Sequence, residues 1–261
     1  MPAFALKLIA LITMIIDHID KILIANNSVT WQVFDVYHVI VLTGRMAFPI
    51  YAFLIAEGCR KTRNMPKYIF RLFLFMIISE IFYIMAFYNN DNHGLELIIY
   101  AFRRVSTLRF RNIFTTLMFG VISIYAYQLL SKLTLNKILH ELLTASVLFI
   151  IMLITNYFGG SYGILGIALI FLLYCFNSRT FQAVVIVIWS AVFYLLWASF
   201  NGSNFLFLVK PVYLQWFIFA SFSAIPIILY NGERGKSLKW AFYIAYPLHL
   251  LILTAIREII Y

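Results

Sequence analysis

Lys7 and His18 are the first residues whose type and spacing could do chemistry. They frame the segment Lys7-Leu-Ile-Ala-Leu-Ile-Thr-Met-Ile-Ile-Asp17-His18-Ile-Asp20. On a helix turning about 100° per residue, the two side chains return to within roughly 20° of one face and lie about 16 Å apart along the axis. An imidazole takes up and returns a proton near neutral pH, so His18 is a candidate general base. Asp17 points about 100° away from His18 and is expected to meet a neighbouring helix instead. The surrounding residues are apolar enough to cross a bilayer. A charge at the middle of a spanning helix costs roughly 2.5 to 3.5 kcal/mol, so ionisable groups there carry function by default.

The elements that must position these groups follow from composition. Of 261 residues, 64% are hydrophobic and 11% charged, with a mean hydropathy of +0.92; a water-soluble domain of this size is excluded. The apolar residues come in blocks of about 18 to 25, the length of spanning helices, and lack the alternation of barrel strands. The expected fold is an all-α, polytopic membrane protein, one domain over 1–261. Spans are predicted near 3–25, 34–57, 66–88, 112–131, 142–158, 161–176, 182–199, 206–230 and 239–258, about nine crossings.

The net charge of +10 resides in short loops, where positive-inside bias and anionic lipid account for it without a polynucleotide, so no nucleic acid is expected. Arg60, Lys61, Arg63 and Lys67 follow the second span, and Glu233, Arg234, Lys236 and Lys239 precede the last. Both loops are placed in the cytoplasm, which puts the N-terminus inside and Asp20 outside. Arg103, Arg104, Arg109 and Arg111 conflict with this alternation, because the 89–111 connection falls outside. That segment reads either as a re-entrant or interfacial helix bringing arginines toward a polar cavity, or as a surface helix on anionic headgroups. Cys59 and Cys175 fall at cytoplasmic ends of spans, so no disulfide is expected. The first span holds Asp17 and His18 where a signal peptide would be unbroken, and no A-x-A site follows, so it is expected to stay in the mature protein.

Within the spans, Arg45 reaches about the depth of Asp17 in the antiparallel first span. Pro49 has no N–H for the carbonyl of residue 45 and opens a kink there. The pair reads as part of a reactive site or as a purely structural ion pair, and His18 as a proton carrier or as an interhelical hydrogen-bonding group. On spacing alone Lys7 is a snorkelling topology marker. Asn112 and Thr115 open the fourth span, Ser161, Tyr162, Gly163 and Gly166 the sixth, and Gln215 lies in the eighth. Gly160, Gly163 and Gly166 are expected to permit close helix approach. Asn231-Gly-Glu-Arg-Gly-Lys-Ser237 echoes a phosphate loop but lacks its first glycine and its strand, and is rejected. Asn26-Asn-Ser and Asn201-Gly-Ser match glycosylation acceptors on the predicted outer side, a match common by chance.

Taken together, Lys-x-ten-Asp-His, Gly44-Arg45-Met-Ala-Phe-Pro49, Ser161-Tyr162-Gly163-x-x-Gly166, Tyr230-Asn231-Gly232-x-x-Gly235 and Phe242-Tyr243-x-x-Tyr246-Pro247-x-His249 resemble the TraX family, named for a protein that acetylates the N-terminus of conjugative pilin. That family is similar to the acyltransferase-three group of integral membrane enzymes, marked by a basic residue, ten residues and a histidine in the first span. The resemblance implies a membrane acyltransferase using cytosolic acetyl-CoA, acting on a hydroxyl or amine at the outer face of a bacterial cytoplasmic membrane, with a pilin N-terminus or a glycan as acceptor. It raises Lys7 to a site residue and adds His249. In this reading His18 is the general base and Asp17 with Arg45 holds the site. Lys7, Arg103 and Arg104 face coenzyme phosphates, and Asn112, Tyr162 and His249 lie near the donor. Arg45, Tyr162 or Asn112 would meet the developing oxyanion, and no metal is expected. A covalent acyl-histidine stays open. The rival readings are a non-catalytic component of a conjugation or secretion apparatus and a small-molecule transporter, the latter without the visible repeats such folds carry.

Overall fold

Asparagines mark several helix starts. Asn64 accepts from the Lys67 amide at 2.9 Å, Asn112 from Phe114 at 2.9 Å and Asn136 from Leu139 at 2.8 Å, each satisfying a donor the first helical turn leaves open. The structure is a computed structural model describing residues 1–24, 36–88, 93–197, 211–237 and 239–260. The acceptor tripeptides at Asn26 and Asn201 lie outside the described residues.

In chain order the helices are α1 (Ala3–Ile19), α2 (Val36–Leu42), α3 (Ala47–Lys61), α4 (Met65–Phe87), α5 (Gly94–Val105), α6 (Ile113–Leu130), α7 (Lys137–Phe158), α8 (Gly163–Cys175), α9 (Arg179–Ser190), α10 (Pro211–Ser221), α11 (Ala224–Ile228) and α12 (Lys239–Ile260). Wider π-helical turns extend α1 over Asp20–Ile24 and α9 over Ala191–Trp197, and a tight 3-10 turn, Thr43–Met46, joins α2 to α3. No strand occurs among the described residues. Five helices are long and apolar enough to cross a membrane: His38–Lys61, Met65–Phe87, Ile113–Leu130, Lys137–Phe158 and Trp240–Ile260. Shorter apolar helices cover Gly163–Cys175, Arg179–Leu195 and Val212–Ile228, and α1 with its π turn covers 3–24, so each predicted crossing holds a helix within its described residues. The chain is an all-helical, multi-pass membrane protein. Its exposed side chains agree, since α7 turns Ile138, Leu142, Phe149 and Tyr157 outward, a surface suited to hydrocarbon.

The chain divides into two compact units. Unit 1 is Met1–Leu54 with Phe176–Tyr261, and unit 2 is Ile55–Cys175. In unit 2, α6 packs against α4, α7 and α8. Its small residues permit this, because a Cβ on Gly120 would stand 2.5 Å from Ile170 Cδ1. Gly160 is similarly confined, 2.9 Å from Thr116 Oγ1, whereas Gly163 meets nothing within 4 Å and is required instead by its φ of +46°. In unit 1 the start of α1 is stitched to the 230–235 loop. Ala3 N donates to Glu233 O at 2.8 Å, Phe4 N to Arg234 O at 3.2 Å, and Asn231 N to Met1 O at 3.0 Å. The loop takes its shape from Gly232 and Gly235 at φ +83° and +66°. The Tyr-Asn-Gly-x-x-Gly motif therefore anchors the helix that carries Lys7 and His18. Cys59 and Cys175 are free thiols.

Candidate functional site

Pro49 shapes the wall of the site from below. The helix tightens into the Thr43–Met46 3-10 turn just before α3, where a proline ring withdraws the N–H that an α-turn would use. The tight turn presents Gly44 to α1 so closely that a Cβ there would stand 2.4 Å from Asp17 Cβ. Only glycine allows that approach, and it sets Arg45 opposite Asp17. Arg45 Nη1 lies 3.6 Å from Asp17 Oδ1, and Lys21 Nζ, one helical turn on, lies 2.5 Å from Oδ2. The Arg45 guanidinium stacks over the Trp216 ring at 4.8 Å. Trp216 is in turn flanked by Tyr213 and Tyr194 at 5.4 and 6.0 Å. A second polar contact of the same unit joins His38 Nε2 to Gln215 Oε1 at 2.9 Å.

One residue further along α1, His18 Nδ1 sits 2.6 Å from His249 Nε2, with the two rings 10° from parallel. Tyr246 presses its edge against both imidazoles, at 6.2 Å and 5.4 Å. His249 and Tyr246 share a face of α12 at an i, i+3 spacing, beside Pro247, which interrupts the helical hydrogen-bond ladder there. His249 Nδ1 lies 2.9 Å from the Ala245 carbonyl, which can only accept. His249 therefore carries its proton on Nδ1 and offers the Nε2 lone pair to His18. His18 donates from Nδ1, and its own Nε2 is the basic nitrogen. A carbonyl thus fixes the tautomers of two rings in series.

The structure places the sequence-derived candidates as follows. Asp17, His18, Arg45 and His249 converge in unit 1. Lys7 belongs to the same pair of helices, its Nζ 5.4 Å from the Phe242 ring, about 16 Å along α1 from His18. Arg103, Arg104, Asn112 and Tyr162 belong to unit 2. There Asn112 is fully buried. Its amide donates to Met76 O at 2.8 Å and Glu80 Oε2 at 2.6 Å, and its oxygen caps α6. Tyr162 N donates to Thr116 Oγ1 at 3.3 Å, Arg103 is exposed, and Arg104 stacks on Tyr88 at 5.3 Å.

Three participants escaped sequence reasoning. Lys21 was signalled by its i, i+4 spacing from Asp17. Glu80 was signalled as a lone carboxylate within an otherwise apolar span; it is completely buried, accepting from the Arg111 and Asn112 amides at 2.9 and 3.1 Å. Nothing in the sequence pattern pointed to Trp216. Among the described residues no three His, Cys, Asp or Glu side chains are grouped to hold a metal.

A helical membrane protein whose first and last helices meet in a histidine pair, beside a contact of Asp17 with Arg45 from the Thr43–Met46 turn, is the class these observations define. The family model described as "TraX protein" matches residues 3–257, so the chain belongs to the TraX family. The probable fimbrial assembly protein FimC, serogroup H1, of Dichelobacter nodosus is 26% identical over 262 residues, covering 98% of this chain and 95% of that protein. No solved structure matches.

Proposed function

We propose that this protein is a membrane acyltransferase that moves an acetyl group from acetyl-CoA to an amine or hydroxyl, and that His18 is its general base. The observation that carries the reading is the fixed tautomer chain from the Ala245 carbonyl through His249 to His18. It orients one basic nitrogen inside a predominantly apolar helix, where an unassigned imidazole would serve packing less well than an aliphatic residue.

In the reaction, His18 Nε2 takes the proton of the acceptor N–H or O–H as that atom bonds to the thioester carbonyl carbon. The C–S bond breaks, and the imidazolium returns the proton to the departing thiolate. Arg45, held by Asp17 and Trp216, supplies positive charge for the oxygen on which charge develops. Acetyl-CoA brings the activated acyl group, and its phosphates call for a cation set apart from the base by the length of a pantetheine arm. Lys7, on the same helix and at the end stitched to the 230–235 loop, fits that demand. With the basic loops in the cytoplasm, donor entry is from that side and the acceptor lies toward the outer face of the cell membrane. The TraX family is associated with pilin acetylation, and the Dichelobacter relative carries the name of a fimbrial assembly protein, which favours a pilin N-terminus over a glycan as acceptor. That name favours, as a second reading, a fimbrial assembly component without catalysis.

Incubating the purified protein with labelled acetyl-CoA separates the readings. Protein-dependent thiol release that rises with added acceptor peptide is the expected result. No release in the presence of pilin-like peptides, amines and glycans overturns the enzymatic reading. Labelled acetyl groups taken up into vesicles without thioester cleavage would make the chain a transporter.

A further inference from the structure

Positive-inside bias explains the basic residues at one end of unit 2 and leaves the other end without a reason. Helices α4 and α6 run from and to the ends that hold Arg63, Lys67, Lys132 and Lys137, yet the opposite end gathers Arg104, Arg109 and Arg111. These three line a cleft with Glu80, Ile84, Tyr88 and Thr107. The guanidinium groups of Arg104 and Arg111 both stack on the Tyr88 ring, at 5.3 and 5.2 Å. Glu80 does not neutralise them by direct pairing, because its oxygens accept from the Arg111 and Asn112 amides and the Asn112 side chain. Among the described residues no ion pair reaches any of the three arginines. Three guanidiniums against one carboxylate leave the cleft positive. The turn that positions them holds Leu108 at φ +55°, a left-handed conformation that a bulky residue rarely adopts and that recurs at ligand sites.

The helix entering this cleft has three distinct faces. Leu97 and Ala101 are buried where α5 packs on α4. Glu96, Tyr100 and Arg103 form a polar arc. Leu95, Ile98, Ile99 and Phe102, spaced by three and four residues, form an apolar stripe left exposed among the described residues, with Leu95 71% and Phe102 58% exposed. An apolar stripe and a polar arc lying to either side of the face docked on the bundle are what a helix in the plane of the membrane interface requires. We propose that α5 and the 106–112 turn form a headgroup site for an anionic phospholipid. Its phosphodiester lies among Arg104, Arg109, Arg111 and Thr107, and its acyl chains run beside Leu95, Ile98, Ile99 and Phe102. The charge selects the anion, and the adjoining uncovered stripe selects a lipid over a free phosphate.

The test uses full-length protein in detergent with a fluorescent phosphatidylglycerol, competed by unlabelled phosphatidylglycerol, phosphatidylcholine or inorganic phosphate. Phosphatidylglycerol is expected to displace the probe at far lower concentration than phosphatidylcholine, with millimolar phosphate ineffective. Each arginine changed to glutamine is expected to weaken binding about fivefold, and the triple variant Arg104→Gln, Arg109→Gln, Arg111→Gln on the order of a hundredfold. Leu95→Gln with Phe102→Gln, at positions too exposed to matter for folding, is expected to weaken it as well, while Arg103→Gln leaves it unchanged. Equal competition by the two lipids, or unchanged binding in the folded Leu95→Gln, Phe102→Gln variant, overturns the proposal. Displacement by phosphate as potent as by phosphatidylglycerol also overturns it and makes the cleft a site for a soluble anion.

Discussion

Unit 1 buries Asp17 and Asp20 and unit 2 buries Glu57 and Glu80; Asp17 and Glu80 are treated in opposite ways. In unit 2, Glu80 is sealed completely and receives three hydrogen bonds from the Arg111 and Asn112 amides and the Asn112 side chain. In unit 1, Asp17 is met by two cations, one at 2.5 Å and one at 3.6 Å, beside a histidine that is only partly buried. A carboxylate enclosed by neutral amides from two segments pins those segments together, which is a scaffold's work. A carboxylate between two cations, next to an imidazole whose basic nitrogen is set by its neighbour, is arranged to respond to a change of charge. Burial alone does not distinguish structure from chemistry, and neither do cationic partners alone, since buried Glu57 also meets Arg60 and Lys61; the oriented imidazole beside Asp17 does.

The sharpest way to break this contrast is to damage each side and read both activity and stability. His18→Ala is expected to lower acetyl transfer by about 10²- to 10⁴-fold, the contribution typical of a positioned base, while the melting temperature in detergent stays where it was. An active variant would remove His18 from the mechanism. Glu80→Ala is expected to do the reverse. Three donors, two of them buried, lose their acceptor, and stability falls by about 3 to 5 kcal/mol, seen as a lower unfolding midpoint with the activity per folded molecule retained.

Smaller effects sharpen the picture. Gly44→Ala forces a methyl group toward Asp17 Cβ and should move Arg45 off its partner, cutting turnover about tenfold. Its counterpart Gly120→Ala meets the buried Ile170 side chain at Cδ1 and Cγ2 and should cost about 1 to 3 kcal/mol of stability with little change in turnover. If both glycine variants alter only stability, the tight Gly44 approach has no bearing on the site. The smallest expected effect separates two substitutions of one residue. His249→Gln keeps an oxygen able to accept from His18 Nδ1 and should retain several-fold more activity than His249→Ala, as measured by thiol release. Equal activities would mean that the His18 tautomer is not set from α12.

The class of the molecule was legible in the sequence because hydrophobic length is a one-dimensional property. Runs such as those under α4, α6 and α7 must be helices to satisfy their backbones in lipid, whatever they pack against. The facing of Asp17 and Arg45 could be read from depth along antiparallel spans, and the kink before Pro49 from the chemistry of proline. Asn112 read as a group near the donor, since nothing in the sequence tells of Glu80 lying within reach of its amide. The fourfold spacing of Asp17 and Lys21 was present in the sequence but has meaning only once Asp17 is known to turn toward Lys21.

By itself the sequence determined an all-helical membrane chain, the membership of His18 and Asp17 in one helix, and the family motifs. Only the tertiary structure decided that residues 231 positions apart, His18 and His249, share a hydrogen bond, that Gly44 admits α1, and that the arginines after α4 gather around Tyr88. The reason is physical: helical periodicity fixes which side chains share a face, whereas which faces meet depends on crossing geometry and on the small residues that permit contact, and these emerge only when the helices pack.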